Sequence, residues 1–138
     1  MTSTIIDSVV LIDVILNDPA WADWSNEIIL HAGRQGPLLI NPIIYAEIAA
    51  SFDREEELED ALPKSRFNRE DLPYSAAFLA GQAHYEYRRR GGARDRTLPD
   101  FFIGAHAQVK SYRLLTRDAR RYRAHFPTVD IIAPDTHP

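Results

Sequence analysis

Residues 4–16 read TIIDSVVLIDVIL, and this stretch decides how the fold begins. Its first three residues form a short apolar run that ends at Asp7, which is typical of a strand buried on both faces. Ser8 is a suitable N-cap, and apolar residues then recur at helical spacing until Asn-Asp-Pro at residues 17–19. The stretch therefore predicts a buried strand that leads directly into a helix.

The same alternation continues to the end of the chain. Further short apolar runs predict strands at residues 38–40, 113–116 and 129–133, and helical spacing predicts helices at residues 20–32, 42–52, 73–90, 98–111 and 118–125. The polar stretch 64–72 predicts a loop. Strands that alternate with helices favour a parallel sheet covered on both faces. We therefore expect one α/β domain over residues 1–138, with three α/β/α layers and four to five strands.

The composition excludes several classes of protein. With 45% hydrophobic residues among 138, the chain can bury a core of ordinary size. It has no cysteine, which excludes disulfides, a thiolate zinc site and a cysteine nucleophile, and which suits a reducing cytoplasm. Asp7 and Asp13 interrupt the apolar N-terminal segment, which also lacks a basic leader, so it predicts neither a signal peptide nor a membrane span. A cytoplasmic location is the expectation.

The net charge of −4 hides an uneven distribution along the chain. Residues 1–83 carry 14 acidic and 5 basic side chains, whereas residues 84–126 carry 4 acidic and 11 basic ones. A basic block in one stretch favours contact with nucleic acid, although a solvated basic face is an equally good interpretation of any single arginine. Arg94 and Arg117 are the two that we expect to grip a phosphate backbone.

Four acidic residues lie where chemistry is expected in such a sheet. Asp7 and Asp118 follow predicted strands, Asp100 lies in the first turn of a helix, and Glu47 lies in a helix rich in Ile and Ala. An unpaired carboxylate beside apolar residues is costly to bury, and a shared cation offsets that cost. Oxygen ligands suit Mg²⁺ or Mn²⁺. The alternative is that the aspartates only cap helices or favour their dipoles.

The segments around these four acids resemble the PIN-domain toxins of VapBC toxin–antitoxin pairs, the VapC type. IIDSVVLIDVIL is similar to the family's first strand and helix, with Asp7 as first acid, and NPIIYAEIAA to the segment of the second acid, Glu47. LPDFFIGAHAQ carries the third acid, Asp100; LLTRDARRYRAHFP, followed by VDIIAP, carries Asp118 with Thr116 before it. No single motif is specific, but four in the right order cover essentially the whole chain.

The resemblance implies a Mg²⁺- or Mn²⁺-dependent endoribonuclease that cleaves RNA, with transfer RNA as a candidate substrate. The four acids are the implied catalytic and metal-binding residues, and Asp118 has a second implied role in positioning water. The implied substrate-binding residues are Arg94, Arg117, Thr116 and Ser8. Val9 stands where the family often has a small polar residue, so a hydrogen bond made there is lost or passes to Ser8.

The resemblance also implies two protein partners, a second copy of the chain and a cognate antitoxin that inhibits it. We expect the antitoxin to lie near the helices of residues 42–62 and to block the acidic site. The apolar surface expected in that region consists of Ile43, Ile44, Phe52, Leu58 and Leu62.

Three other functions stay open. An aspartyl-phosphate hydrolase needs two acids one residue apart after the first strand, whereas here Asp7 is followed by Ser8 and Val9. A receiver domain needs paired acids at the first strand and a late lysine, but Lys110 falls in the middle of a predicted helix. An inactive PIN-like binding module is disfavoured only because all four acids are present.

Overall fold

A computed structural model describes residues 1–93 and 96–138 of the chain. The elements in chain order are β1 Thr4–Ile6, α1 Ser8–Ile15, α2 Ala22–Gln35, β2 Leu38–Ile40, α3 Pro42–Ala49, α4 Glu55–Ala61, β3 Phe67–Arg69, α5 Tyr74–Arg89, α6 Leu98–Lys110, β4 Arg113–Leu115, α7 Arg120–Arg123 and β5 Ile131–Ile132. None of the helices in this described part is long and apolar enough to cross a membrane.

The five strands form one parallel sheet in the order β3-β2-β1-β4-β5. With helices on both faces, this confirms the predicted three-layer α/β/α architecture. The chain moves outward from β1 in one direction through β2 and β3, and in the other through β4 and β5. The gap between β1 and β4 is therefore a topological switch point, and ligands of open α/β sheets bind outside the carboxyl ends of the strands at such a point.

Local signals in the sequence explain where several helices begin. The Asn41 side chain accepts a hydrogen bond from the backbone N–H of Ile44 at 2.9 Å, and Pro42 follows it at the first helical position of α3. At the start of α6, the Asp100 carboxylate accepts a hydrogen bond from the backbone N–H of Thr97 at 3.2 Å, as in a capping box. These caps set where α3 and α6 begin, and thereby position Glu47 on α3 and Asp100 on α6.

The core lies between the sheet and its helices. Ile5 and Ile6 of β1 are fully buried, as the apolar run predicted. Where α7 packs against α6, Gly104 has no space for a side chain, because an added Cβ would lie 2.4 Å from the Phe126 ring. This close approach allows Phe126, three residues after the end of α7, to pack directly on α6.

Two expectations from the sequence were wrong. Residues 67–69 form the edge strand β3 rather than a loop, and only Phe67 of the three is buried, so no apolar run announces the strand. The apolar surface expected over residues 42–62 is also smaller, because three of its five members lie in the core: Ile44, Leu58 and Leu62. Their side chains stabilise the packing of α3 and α4 and are not available to a partner.

Candidate active site

All four predicted acids lie at the carboxyl edge of the sheet, and a chain of contacts connects them in pairs. The Ser8 hydroxyl lies 2.9 Å from Glu47 Oε1 and 3.5 Å from Asp7 Oδ1, and so joins the first two acids. The Arg121 guanidinium lies 3.5 Å from Asp100 Oδ1 and 2.9 Å from Asp118 Oδ2, and so joins the other two. Burial is the main cause that raises the pKa of both Asp7 and Glu47, and the negative charge of Asp100 adds to it, so the two pairs are close enough to interact.

Asp7 is buried, and one of its two carboxylate oxygens is held by two hydroxyl groups. Oδ2 accepts a hydrogen bond from Thr116 at 2.8 Å and another from Tyr122 at 3.0 Å. The Ser8 hydroxyl has one proton, which is better placed on Glu47 than on the more distant Oδ1 of Asp7. Asp7 is therefore oriented through Oδ2, and Oδ1 is the oxygen left for another ligand.

Glu47 and Asp100 follow the same pattern. Glu47 Oε1 accepts the hydrogen bond from Ser8, and no donor within residues 1–93 and 96–138 contacts its second oxygen. Asp100 Oδ2 is held by the backbone of Thr97, whereas its Oδ1 faces Arg121. Three carboxylates thus each have one oxygen anchored by a protein donor; among the described residues, the second oxygen has no close donor in Asp7 and Glu47 and lies beside Arg121 in Asp100. Hard oxygen donors of this kind fit Mg²⁺ or Mn²⁺.

The electrostatics of the cluster favour a cation. Burial raises the pKa of Asp7 and of Glu47, and repulsion from the neighbouring acids raises it further, although hydroxyl bonds and Arg121 act in the opposite direction. Among the described residues, no group of three or more acidic, histidine or cysteine side chains forms a ready-made metal cage. Mg²⁺ does not require such a cage, because this ion keeps several waters and is commonly bound through one or two carboxylates.

The other predicted site residues lie apart from this arrangement or support it. Thr116 is fully buried, donates to Asp7 and accepts a hydrogen bond from the backbone N–H of Asp118 at 3.1 Å. Ser8 likewise contacts carboxylates. Arg117 points away from the four acids, toward α1, where both of its bonds to Asp13 measure 2.9 Å. Arg94 lies outside the described residues.

Sequence reasoning missed the role of two side chains of α7. Tyr122 is buried and orients Asp7, and Arg121 faces Asp100 and Asp118. They lie three and four residues after Asp118, a spacing that places side chains on the same side of a helical turn. That spacing was visible in the sequence, but it does not distinguish these roles from simpler ones: Tyr122 could be an ordinary core residue, and Arg121 part of a solvated basic face.

Several solved structures have a fold similar to that of this chain. Its fold is similar to that of a chain in VapBC2 from Rickettsia felis, bound to a promoter DNA fragment, with a TM-score of 0.74, 17% identity and coverage of 96% of this chain and 98% of that one. The chain is also similar to one in DNA-bound VapBC from Salmonella typhimurium, with a TM-score of 0.70, 22% identity and coverage of 96% of this chain and 98% of that one. A chain of FitAcB from Neisseria gonorrhoeae has a TM-score of 0.66 and 18% identity, with coverage of 98% of this chain and 99% of that one.

Sequence comparison gives a family and no individual relative. No curated protein matches the chain significantly. The family profile described as PIN domain, in contrast, matches residues 4–127, which include all four acids and every strand but the last. The chain therefore belongs to the PIN domain family.

Proposed function

We propose that the chain is a divalent-metal-dependent endoribonuclease and the toxin of a cytoplasmic toxin–antitoxin pair. The observation that carries the proposal is the set of three carboxylates, Asp7, Glu47 and Asp100, each anchored through one oxygen at the switch point of the sheet. PIN family membership and a fold similar to chains of VapBC and FitAcB complexes support it.

In this mechanism Asp7, Glu47 and Asp100 hold a Mg²⁺ or Mn²⁺ ion. When bound, such an ion lowers the pKa of a water ligand and neutralises the charge that develops on the phosphate. Thr116 and Tyr122 keep Asp7 in one orientation by hydrogen bonds to its Oδ2. Asp118 is half exposed at the rim of the site, where its carboxylate either joins the ligands or orients the attacking water.

The basic stretch of residues 84–126 provides charge for an RNA backbone. Arg96 lies before α6 and contacts His125, and Arg121 contacts Asp100 and Asp118. Arg120, next to Arg121 in α7, is exposed. Arg117 is engaged with Asp13, so its neighbours carry this role in our proposal. Transfer RNA is the substrate that we propose to test first.

Metal removal is the experiment that tests this function. We expect purified protein with Mn²⁺ to cut RNA, to lose the activity on addition of a chelator, and to regain it with excess Mn²⁺, because the carboxylates bind substrate only through the ion. Full activity in the chelator would contradict the metal site. No cleavage under any condition would favour an inactive binding module, and aspartyl phosphorylation by a small phosphodonor would favour the receiver or phosphatase class.

The antitoxin in this proposal covers the region of α3 and α4. A cavity of about 390 Å³ there is lined by Tyr45, Glu55, Glu59 and Glu70, among others, and a smaller one by Phe52 and its neighbours. Five of the residues that line these two cavities are acidic and two, Arg54 and Arg69, are basic, and this net negative charge complements basic groups of a partner segment. We propose that this region receives the inhibitory segment.

We also propose that the chain forms a homodimer through the outer face of α5. Tyr74, Phe78 and Tyr85 are 94%, 70% and 63% exposed, and their spacing places them on one face of the helix. Phe78→Asp is expected to dissociate the dimer, because it puts a charge into an apolar interface, whereas Leu30→Asp on α2 should not. Light scattering at high micromolar concentration is the measurement, and a monomeric parent protein would contradict the dimer.

A further inference from the structure

The Arg121 guanidinium stands among the four acids. Its Nε lies 2.9 Å from Asp118 Oδ2 and its Nη1 lies 3.5 Å from Asp100 Oδ1. One cationic side chain of the protein therefore contacts two of the four acids directly.

The two contacts of Arg121 differ in strength. The distance to Asp118 is that of a charge-assisted hydrogen bond, whereas 3.5 Å to Asp100 is longer than a normal N–H···O bond. The Asp100 oxygen concerned is Oδ1, the one that its helix cap leaves available. A divalent ion held by that oxygen would lie next to the guanidinium, so the two cations would compete for the same oxygen.

Displacement of Arg121 from Asp100 is easy on this geometry. The contact that must break is the long one: Arg121 Nη1 lies 3.5 Å from Asp100 Oδ1, and the Arg121 side chain is 46% exposed, so water can replace it there, although the Asp100 side chain is only 7% exposed. Asp118 holds the guanidinium through Nε from a position three residues earlier, so the side chain can turn away from Asp100 and stay at the rim of the site. The freed Nη groups then face outward, where a phosphate oxygen can accept their bonds.

We propose that Arg121 is a displaceable counter-cation: it neutralises the acidic cluster until a divalent ion binds, and the ion releases it to hold the phosphate of the substrate, with Asp118 as its tether. This inference rests on the proposed metal-dependent nuclease. It implies that a single side chain opposes metal binding and favours RNA binding. A purely structural arginine would not have these two opposite effects.

The test compares Arg121→Gln with Arg123→Gln in the full chain. Both variants remove one positive charge from α7, but Arg123 pairs with Asp135 and contacts none of the four acids. By calorimetry with Mn²⁺ alone, we expect Arg121→Gln to bind the ion more tightly, on the order of fivefold or more, and Arg123→Gln to match the parent. With a non-cleavable RNA, Arg121→Gln should bind more weakly, and its salt dependence should fall by about one unit.

A third variant separates charge from shape. Arg121→Lys keeps the positive charge and loses the planar fork, so its Mn²⁺ affinity should stay near that of the parent while RNA binding weakens. If the parent binds Mn²⁺ and Arg121→Gln binds it equally well or more weakly, Arg121 is not a counter-cation that competes with the metal. The nuclease proposal would still stand. An unchanged RNA salt slope in Arg121→Gln would overturn the release to phosphate. A parent that binds no Mn²⁺ would overturn both proposals.

Discussion

Asp7→Asn is expected to abolish metal-dependent RNA cleavage while the protein stays folded. Asparagine has nearly the shape of aspartate, and its carbonyl oxygen can still accept the hydrogen bonds from Thr116 and Tyr122. What is lost is the negative charge that holds a hard cation. A bound metal supplies several kcal/mol of transition-state stabilisation, and each ~1.4 kcal/mol is a factor of ten in rate, so we expect a loss on the order of a thousandfold.

The measurement is the initial rate of RNA cleavage with Mn²⁺ in excess. Asp135→Asn is the matched control, because Asp135 is an exposed aspartate that pairs with Arg123 away from the site. It should cut RNA at the parent rate. If Asp7→Asn also cuts at the parent rate, the acidic cluster is not the catalyst and the proposed function is wrong.

Thermal melts of the same variant carry a second readout. Burial raises the pKa of Asp7 in the folded protein, so the carboxylate disfavours the folded state increasingly as the pH rises through that value. At neutral pH without added metal, Asp7→Asn should therefore melt at or above the parent temperature, and the difference should vanish at low pH. Mn²⁺ should raise the melting temperature of the parent and leave that of the variant unchanged, since only the parent binds it.

Arg117→Ala is expected to destabilise the fold rather than to weaken RNA binding alone. Its guanidinium makes a bidentate pair with Asp13, whose side chain is only 3% exposed, and stacks on the Trp21 ring at 5.1 Å. Removal of one partner leaves a buried charge with Ser25 as its remaining contact, which costs about 3 kcal/mol. For a domain of this size, we expect the melting temperature to fall by roughly 10 °C.

A double-mutant cycle with Asp13→Asn separates the energy of the Arg117–Asp13 ion pair from the other effects of the Arg117→Ala substitution. The double variant should be less destabilised than the sum of the two single ones, because the unpaired buried charge is gone. The structural role of Arg117 would be contradicted if Arg117→Ala melts at the parent temperature and its RNA binding depends less steeply on salt concentration. Arg117 would then grip phosphate, as its position beside Asp118 in the sequence suggests.

Much of the fold was predictable because its signals are local. The strand that ends at Asp7 and the helix that begins at Pro42 follow from apolar periodicity and capping residues, which depend on neighbours in the chain. The edge strand Phe67–Arg69 was not predictable in this way. It is a strand because it pairs with β2, and its two exposed side chains leave no apolar run to recognise.

The sequence by itself determined the order of the strands and helices apart from the edge strand β3, and it placed Asp7 and Asp118 after strands and Asp100 in the first turn of a helix. Only the tertiary structure decided the partner of each charge. Arg117 and Arg121 both flank Asp118 and are equivalent as a pattern, yet one pairs with Asp13, 104 residues earlier in the chain, and the other faces Asp100. The physical reason is that an ion pair depends on distance through space, which is set by how α1, α6 and α7 pack around the sheet and not by spacing along the chain.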